Sequence, residues 1–587
     1  MLQRFIQAGF TAGLVLLLGG CVLPRPISAP SAAAQPSDVG RAPATPSASA
    51  SAPTATPIHH LVVIYQENVS FDHYFGTYPH ARNPPGEPAF HAAPGTPRDI
   101  DNYLTYPRLL THNPNLAPIN GRGAANPFRL DRSQAATADQ DHDYTAEQMA
   151  FHDGRMDRFP LSVGRATPPP PGHPGHSPFH TDAQTLGYYD GNTVTALWNY
   201  AQRYAISDRF FGTTFGPSTP GAINLIAGQT DGIVATNGIA GKPVASDGAG
   251  GRILMSDTDP LDDVCSNTSK PNVRFSGRNI GDLLNARGIS WGWFEGGFDL
   301  GRINANGTTG CRRSTDSMYT GLSRDYIPHH APFQYYAATA NPTHARPASV
   351  AAIGHSRDAN GKPDPANHQY GLRDFYAAVQ AGHFPAVTFI KAPGFEDGHA
   401  GYSDPLDEQR FLVELINFIQ RQPQWPNTAI LVAYDDSDGW YDHRMGPIIN
   451  PSHGPRDALN GRGVCQQPGT RKTGTPLPGL AGRPVDGRCG SGPRLPLVVI
   501  SPWAKRNAVD HTTLDQTSIT RFIEDNWLHG QRIGQGSFDT LNSLDRGRSH
   551  NNLDGLFDFA TSIPPNLAPL ILDPRTGDPM PHHKHHG

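Results

Sequence analysis

Cysteine is scarce, with five in 587 residues, and no CxxC pair occurs. That argues against a zinc site built from four thiolates, which usually shows such a spacing. Charge is sparse too. Asp, Glu, Lys and Arg make up 17% of the chain, the formal net charge is −5, and no long basic block is visible. Nucleic acid and an anionic membrane surface are therefore poor candidates for partners. Long apolar runs are also lacking. The one near the start, Phe10–Leu18, is too short for a comfortable transmembrane helix, and no later segment reaches spanning length. Glycine (62) and proline (57), by contrast, are plentiful. In a globular protein this implies many loops around a modest amount of regular structure.

The chain opens MLQRFIQAGFTAGLVLLLGGC. A short positive region at Arg4, an apolar run and two small residues before Cys21 have the form of a secretory signal. The Leu-Gly-Gly-Cys ending resembles a bacterial lipobox, which implies cleavage before Cys21 and its lipidation. Residues 22–57 are almost entirely Ala, Pro, Ser and Thr. Such a segment cannot build a core and reads as a tether. The expectation is an exported protein, an outer-membrane or periplasmic lipoprotein or a secreted one, touching membrane only through Cys21. Four cysteines remain, and export suggests disulfides. Short loops favour 265–311 and 465–489, although three pairings are possible. The tail HHKHHG, and the histidines of HPGH after Pro168–Pro171, read as solvated.

Apolar runs at His60–Ile64, Ile289–Phe294, Ala386–Ile390, Ala429–Ala433 and Leu495–Ile500 fit buried strands. Helical patterns at 195–204, 279–286, 372–381, 409–421 and 518–528 lie between or after them. The alternation predicts an α/β fold, a mainly parallel sheet with helices on both faces. Regions 80–185, 230–275 and 444–494 read as long loop insertions on one domain spanning 58–560, with a tail at 561–587. In such sheets ligands bind beyond the carboxyl ends of the strands.

Two strands end on chemistry there. AILVAYDDSDGWYDH runs from an apolar strand into Asp435 and Asp436. Two carboxylates that close usually need a cation between them, although an Asp-rich solvated turn would read the same way. HLVVIYQEN likewise ends on Glu67 and Asn68. Three carboxylates and an amide make an oxygen-rich set that favours Mg, Ca or Mn. A third segment, AISDRFFGTTFGPSTPGAINLIAG, passes through a Gly-rich turn to Ser218 and Thr219 at the start of a helix. A hydroxyl before Pro is a common helix cap. Next to a divalent ion it would also be a nucleophile with a depressed pKa.

QENVSFDHYFG, FGPSTPGAINLIAG, NHQY, FEDGHAGYSDP, YDDSDGWYDH and SPWAKRNAVDH occur in this order. Together they resemble the bacterial phosphoesterase family that holds acid phosphatases and non-zinc phospholipases C, with its alkaline-phosphatase-like fold. The resemblance implies metal ligation by Glu67, Asn68, Asp435 and Asp436. It implies a nucleophile at Ser218, with Thr219 as the neighbouring alternative. It places His142, His368 and His399 around the phosphate. Asp72, His73, Asp442 and His443 are expected to brace the site, and His511 is undecided. Ser218, where the phospholipase branch has Thr, leans toward the phosphatase branch. So do the lack of a twin-arginine signal and of the extra C-terminal region of the larger phospholipases. The expected function is hydrolysis of small phosphate monoesters with one divalent ion. Phospholipase C, and a non-catalytic surface lipoprotein binding metal or phosphate, are the alternatives.

Overall fold

A computed structural model describes residues 53–581 except 240, 242, 471–475 and 535–551. The signal, Cys21, most of the linker and the His-rich end fall outside the described residues. Eight strands form the main path of one sheet: β1 (His60–Gln66), β2 (Ala205–Phe211), β3 (Trp291–Glu295), β4 (Gln369–Gly371), β5 (Val387–Lys391), β6 (Thr428–Tyr434), β7 (Arg494–Ile500) and β8 (Ala508–Asp510). Their order is β4-β3-β5-β1-β6-β7-β2-β8, and the short pair Leu514–Asp515 also joins β2. All five apolar runs lie in strands of this sheet, as their composition predicts.

β3, β5, β6 and β7 are buried at every position. Side chains alternate between the faces of a strand, so both faces are covered. The helices in this arrangement include α1 (Phe71–Phe75), α2 (Tyr144–Phe151), α3 (Thr195–Arg203), α4 (Ser218–Ala227), α5 (Ile280–Arg287), α6 (Leu372–Gln380), α7 (Pro405–Gln420) and α8 (Gln516–Trp527). Each buried Val, Leu or Ile on such strands contributes roughly 1.5–3 kcal/mol.

The sheet is mixed rather than wholly parallel. β7 runs antiparallel to both β6 and β2, while β1, β3, β4, β5 and β6 run parallel. Pro496 within β7 has no N–H to give the ladder, and the β7–β2 register shifts between Leu495 and Leu497 at that point. The bulge accommodates the missing donor.

The regions read as loops carry short elements. One of them is α2, which proves important below. Residues 566–580, expected as tail, pack against α7 and its neighbours. Asn417 and Gln420 donate to the carbonyls of Leu572 and Leu570, and Asn199 donates to that of Gly577. Disulfides join Cys265 to Cys311 and Cys465 to Cys489, the pairing favoured by loop length. The polyproline loop and the histidines of HPGH are exposed, as expected. Among the described residues no helix is long and apolar enough to cross a membrane.

The bracing expectation holds in detail. Arg494, at the start of β7, is fully buried and pairs with Asp72 and Asp442 at 3.1 Å each. It also donates to the carbonyls of Asp101 and Asp208. His443 bridges Asp72 (2.6 Å) and Asp101 (3.1 Å). His73 stacks on Trp440 with ring centroids 3.9 Å apart and bonds the Gly187 carbonyl. This cluster ties together the segments that follow β1 and β6. His511 pairs with Asp208 of β2 at 2.9 Å.

Candidate active site

The register of β1 and β6 builds the site. These parallel neighbours align Gln66 with Tyr434 at their last pair. The next residues, Glu67 and Asp435, therefore emerge side by side. Adjacent aspartates can serve one site because the strand has already ended. Asp435 turns toward Glu67 and Lys391, and Asp436 turns toward Ser218. Carboxylate oxygens of Glu67, Asp435 and Asp436 all lie within 4.8 Å of one another, and all three residues are buried.

Ser218 reaches this cluster from β2 through the loop 212–217. Its Oγ donates to Glu67 Oε2 at 2.8 Å and lies 3.1 Å from Asp436 Oδ2. The Asn68 amide nitrogen is 3.3 Å away. Two glycines make the approach possible. Gly216 takes a φ of 107°, a left-handed value that favours glycine. A Cβ at Gly221 would sit 2.3 Å from the Asp435 carbonyl oxygen, so only glycine lets α4 press against the end of β6. Thr219 is engaged elsewhere. Its backbone N–H and its hydroxyl both donate to Asp257, at 2.9 and 2.8 Å. The geometry therefore favours Ser218 over Thr219.

The site is short of positive charge. Burial, then the neighbouring Glu67, pushes the Asp435 carboxyl well above its ordinary value. Burial pushes Asp436 up to about 7, against the pull of His142. Burial also opposes charge on Glu67, but His330 and Lys391 hold its carboxyl well down. Buried carboxylates raised in this way are stabilised by an added cation. The donor set of carboxylate, amide and hydroxyl oxygens fits a hard divalent ion.

Other clusters have prior commitments. Asp263, Cys265 and His344 include a disulfide sulfur, and Asp72, Asp442 and His443 already face Arg494. In the group Asp139, His142, His399 and Asp438, the His142 Nδ1 is shared between the Gln140 carbonyl and Asp438.

Two of the three expected histidines lie close together beside the carboxylates. His142 and His399 lie with ring centroids 5.7 Å apart. Burial opposes charge on His142, but Asp436 and Asp438 override it and hold the ring well above its ordinary pKa. His399 bonds the Ala400 carbonyl through Nδ1 and stacks on Tyr402. Burial lowers its pKa despite Glu67.

His368 is not part of this cluster, and its expected role is corrected. It precedes β4 at the edge of the sheet, three strands from β1, and its carbonyl accepts from Trp293 N–H. The strand pairing sets it level with Gly292, Thr388 and Val62, well before the strand end at Glu67. Its ring bonds the Trp291 carbonyl at 2.8 Å and stacks on that indole. It is a core histidine, pushed down to about 4 by burial.

Two further histidines, His329 and His330, face the carboxylate cluster and its surroundings. His330 Nε2 lies 3.3 Å from Glu67 Oε1, and His329 faces Asp257 and Asp259 at 3.8 and 3.7 Å. Burial opposes charge on His329, and those aspartates raise its pKa. The only signal in the sequence is the doublet in YIPHHAPFQYY, within a segment without a strand pattern.

Lys391, the last residue of β5, contacts Glu67 and Asp435, with no motif around it in the sequence. Glu147 of α2 ties two further segments to the site. It accepts from Gly216 N–H at 2.9 Å and Ser437 Oγ at 2.8 Å, so one buried carboxylate holds both the Ser218 loop and the Asp436 turn. Gln516 adds a second tie, accepting from Thr213 and donating to the Asp435 carbonyl.

Fold and site thus define an α/β protein whose sheet offers, at the carboxyl ends of its central strands, a hydroxyl among carboxylates and histidines able to hold a metal ion. The chain belongs to the Phosphoesterase family, which it matches over residues 58–528. It is 25% identical over 483 residues to a non-hemolytic phospholipase C of Pseudomonas aeruginosa, covering 80% of this chain and 53% of that protein. It is 23% identical over 479 residues to phospholipase C B of Mycobacterium tuberculosis, covering 80% of this chain and 73% of that one. The chain therefore spans about half the length of the first of these relatives. Among solved structures, the phosphonate monoester hydrolase of Silicibacter pomeroyi is 13% identical. That match covers 61% of this chain and 73% of the other, with a TM-score of 0.25.

Proposed function

We propose that this chain is a metal-dependent phosphoric-ester hydrolase acting on phosphomonoesters in acid, with Ser218 as nucleophile. The observation that carries the reading is the Ser218 hydroxyl held between Glu67 and Asp436 beside the Asp435 carboxylate. Glu67, Asn68, Asp435, Asp436 and Ser218 Oγ would hold a divalent ion. When bound, it would lower the cost of negative charge on Ser218 Oγ and on the phosphoryl oxygens. Ser218 Oγ attacks phosphorus in line as the ester oxygen leaves. Its proton passes to a neighbouring carboxylate, and the resulting phosphoserine is hydrolysed by water. His142 and His329 supply positive charge for the phosphoryl oxygens. His399, beside His142, would protonate the leaving oxygen. Export rests on the amino-terminal signal pattern.

A second reading, cleavage of phospholipid diesters, is favoured by the names of the relatives. One assay separates the two. An aryl phosphate monoester and an aryl phosphocholine diester are compared from pH 4 to 9, before and after chelation. The expected result is preferential monoester turnover that is lost with the metal. Burial lowers the pKa of His399, so its proton is present only in acid. kcat should therefore fall as pH rises toward neutrality, and His399→Gln should flatten that limb. Preferential diester turnover would transfer the assignment to phospholipase C. A profile that peaks well above neutral would remove the acid assignment.

A further inference from the structure

We propose that Lys391 is a built-in second cation, and that it limits the Glu67–Asp435–Asp436 cluster to one divalent ion. The inference rests on the metal-site reading above and adds to it the residue that sets the number of ions held.

Lys391 ends β5, next to β1 in the sheet, and its side chain is 1% exposed. Its Nζ donates to Glu67 Oε1 and, at 3.2 Å, to Asp435 Oδ2. These two carboxylates are also metal-ligand candidates, but the ammonium takes one oxygen of each. Glu67 is divided cleanly, with Oε2 to Ser218 and Oε1 to Lys391. On the Lys391 side the donors continue. His330 Nε2 is 3.3 Å from Glu67 Oε1, and Asp397 faces His330 Nδ1 at 3.9 Å. Two carboxylates, an imidazole and a third carboxylate would be an adequate site for a divalent ion. The ammonium occupies it instead.

A second divalent ion would have to share Glu67 Oε1 and Asp435 Oδ2 with the Lys391 ammonium, which places it at contact distance from a buried like charge. The lysine cannot swing away to make room, because its stem lies in the core, with Nζ 5.7 Å from the centre of the Tyr65 ring.

The test is the number of manganese ions bound per chain. The full chain is dialysed to equilibrium against Mn(II) alone, and protein and metal are quantified. Lys391→Met keeps the stem and loses the charge, and Lys391→Arg keeps the charge. The expected counts are one ion for wild type, one for Lys391→Arg and two for Lys391→Met. Two ions in the wild type would overturn the proposal and leave the hydrolase reading intact. One ion in both wild type and folded Lys391→Met would do the same. No ion in the wild type would instead overturn the metal-site reading, and this proposal with it. If Lys391→Met fails to fold, judged by circular dichroism, the wild-type count still decides: a second ion bound with Lys391 in place contradicts the proposal.

Discussion

Ser218→Ala is expected to lower kcat for an aryl phosphate by about 10³-fold or more, the scale seen when a nucleophile is removed. The change deletes one oxygen at the start of α4. Glu67, Asp435, Asp436 and Lys391 keep their mutual contacts, so folding should be unaffected. Manganese binding should weaken modestly, because one candidate ligand of five is lost. A phosphate- or metal-binding protein without catalysis would show the opposite pattern, with no turnover to lose and function retained. Thr219→Ala serves as the control. Its hydroxyl is committed to Asp257, so the variant should keep turnover within about tenfold of wild type. Reversed effects of the two substitutions would move the nucleophile to Thr219.

The second large effect is on stability. Arg494→Met should destabilise the fold by about 3–5 kcal/mol, the cost of leaving buried charge unpaired. Asp72 and Asp442 would then face each other without their guanidinium, and the carbonyls of Asp101 and Asp208 would lose a donor. The measurement is the urea midpoint, followed by fluorescence. Asp442→Asn in the same background should recover part of the loss, because it removes one stranded charge. A midpoint unchanged by Arg494→Met would show that the cluster does not hold the strand exits together.

The same cluster gives stability a pH dependence. Burial opposes charge on His443, but Asp72 and Asp101 raise its pKa to about 9 from an ordinary 6.5. The contribution is therefore complete below 6.5 and is lost as pH rises through about 9. The wild-type midpoint should fall over that window.

The sheet was legible in the sequence because its strands are buried on both faces and read as unbroken apolar runs. The cluster of carboxylates was legible for a related reason. Glu67 and Asp435 each come shortly after such a run, and parallel neighbours in register place the residues that follow β1 and β6 together. The antiparallel direction of β7 was not legible, since an apolar run carries no direction. His329, His330 and Lys391 escaped for different reasons. The two histidines sit in a loop whose course is set by tertiary contacts. Lys391 looked like the ordinary polar end of a strand. His368 misled because NHQY matched a motif, whereas its place in the fold depends on the register of β4. Glu147 offered no local sign at all. Its role exists only because α2 packs where the Ser218 loop and the Asp436 turn meet.

The central claim is that phosphorus passes through Ser218. The direct measurement is acid quenching of the enzyme during turnover of an aryl phosphate, followed by peptide mass spectrometry. The account predicts one phosphoryl group on the peptide carrying Ser218, absent in Ser218→Ala and absent after chelation. Full turnover with the phosphoryl group on a histidine would contradict it. So would full turnover in the Ser218→Ala variant.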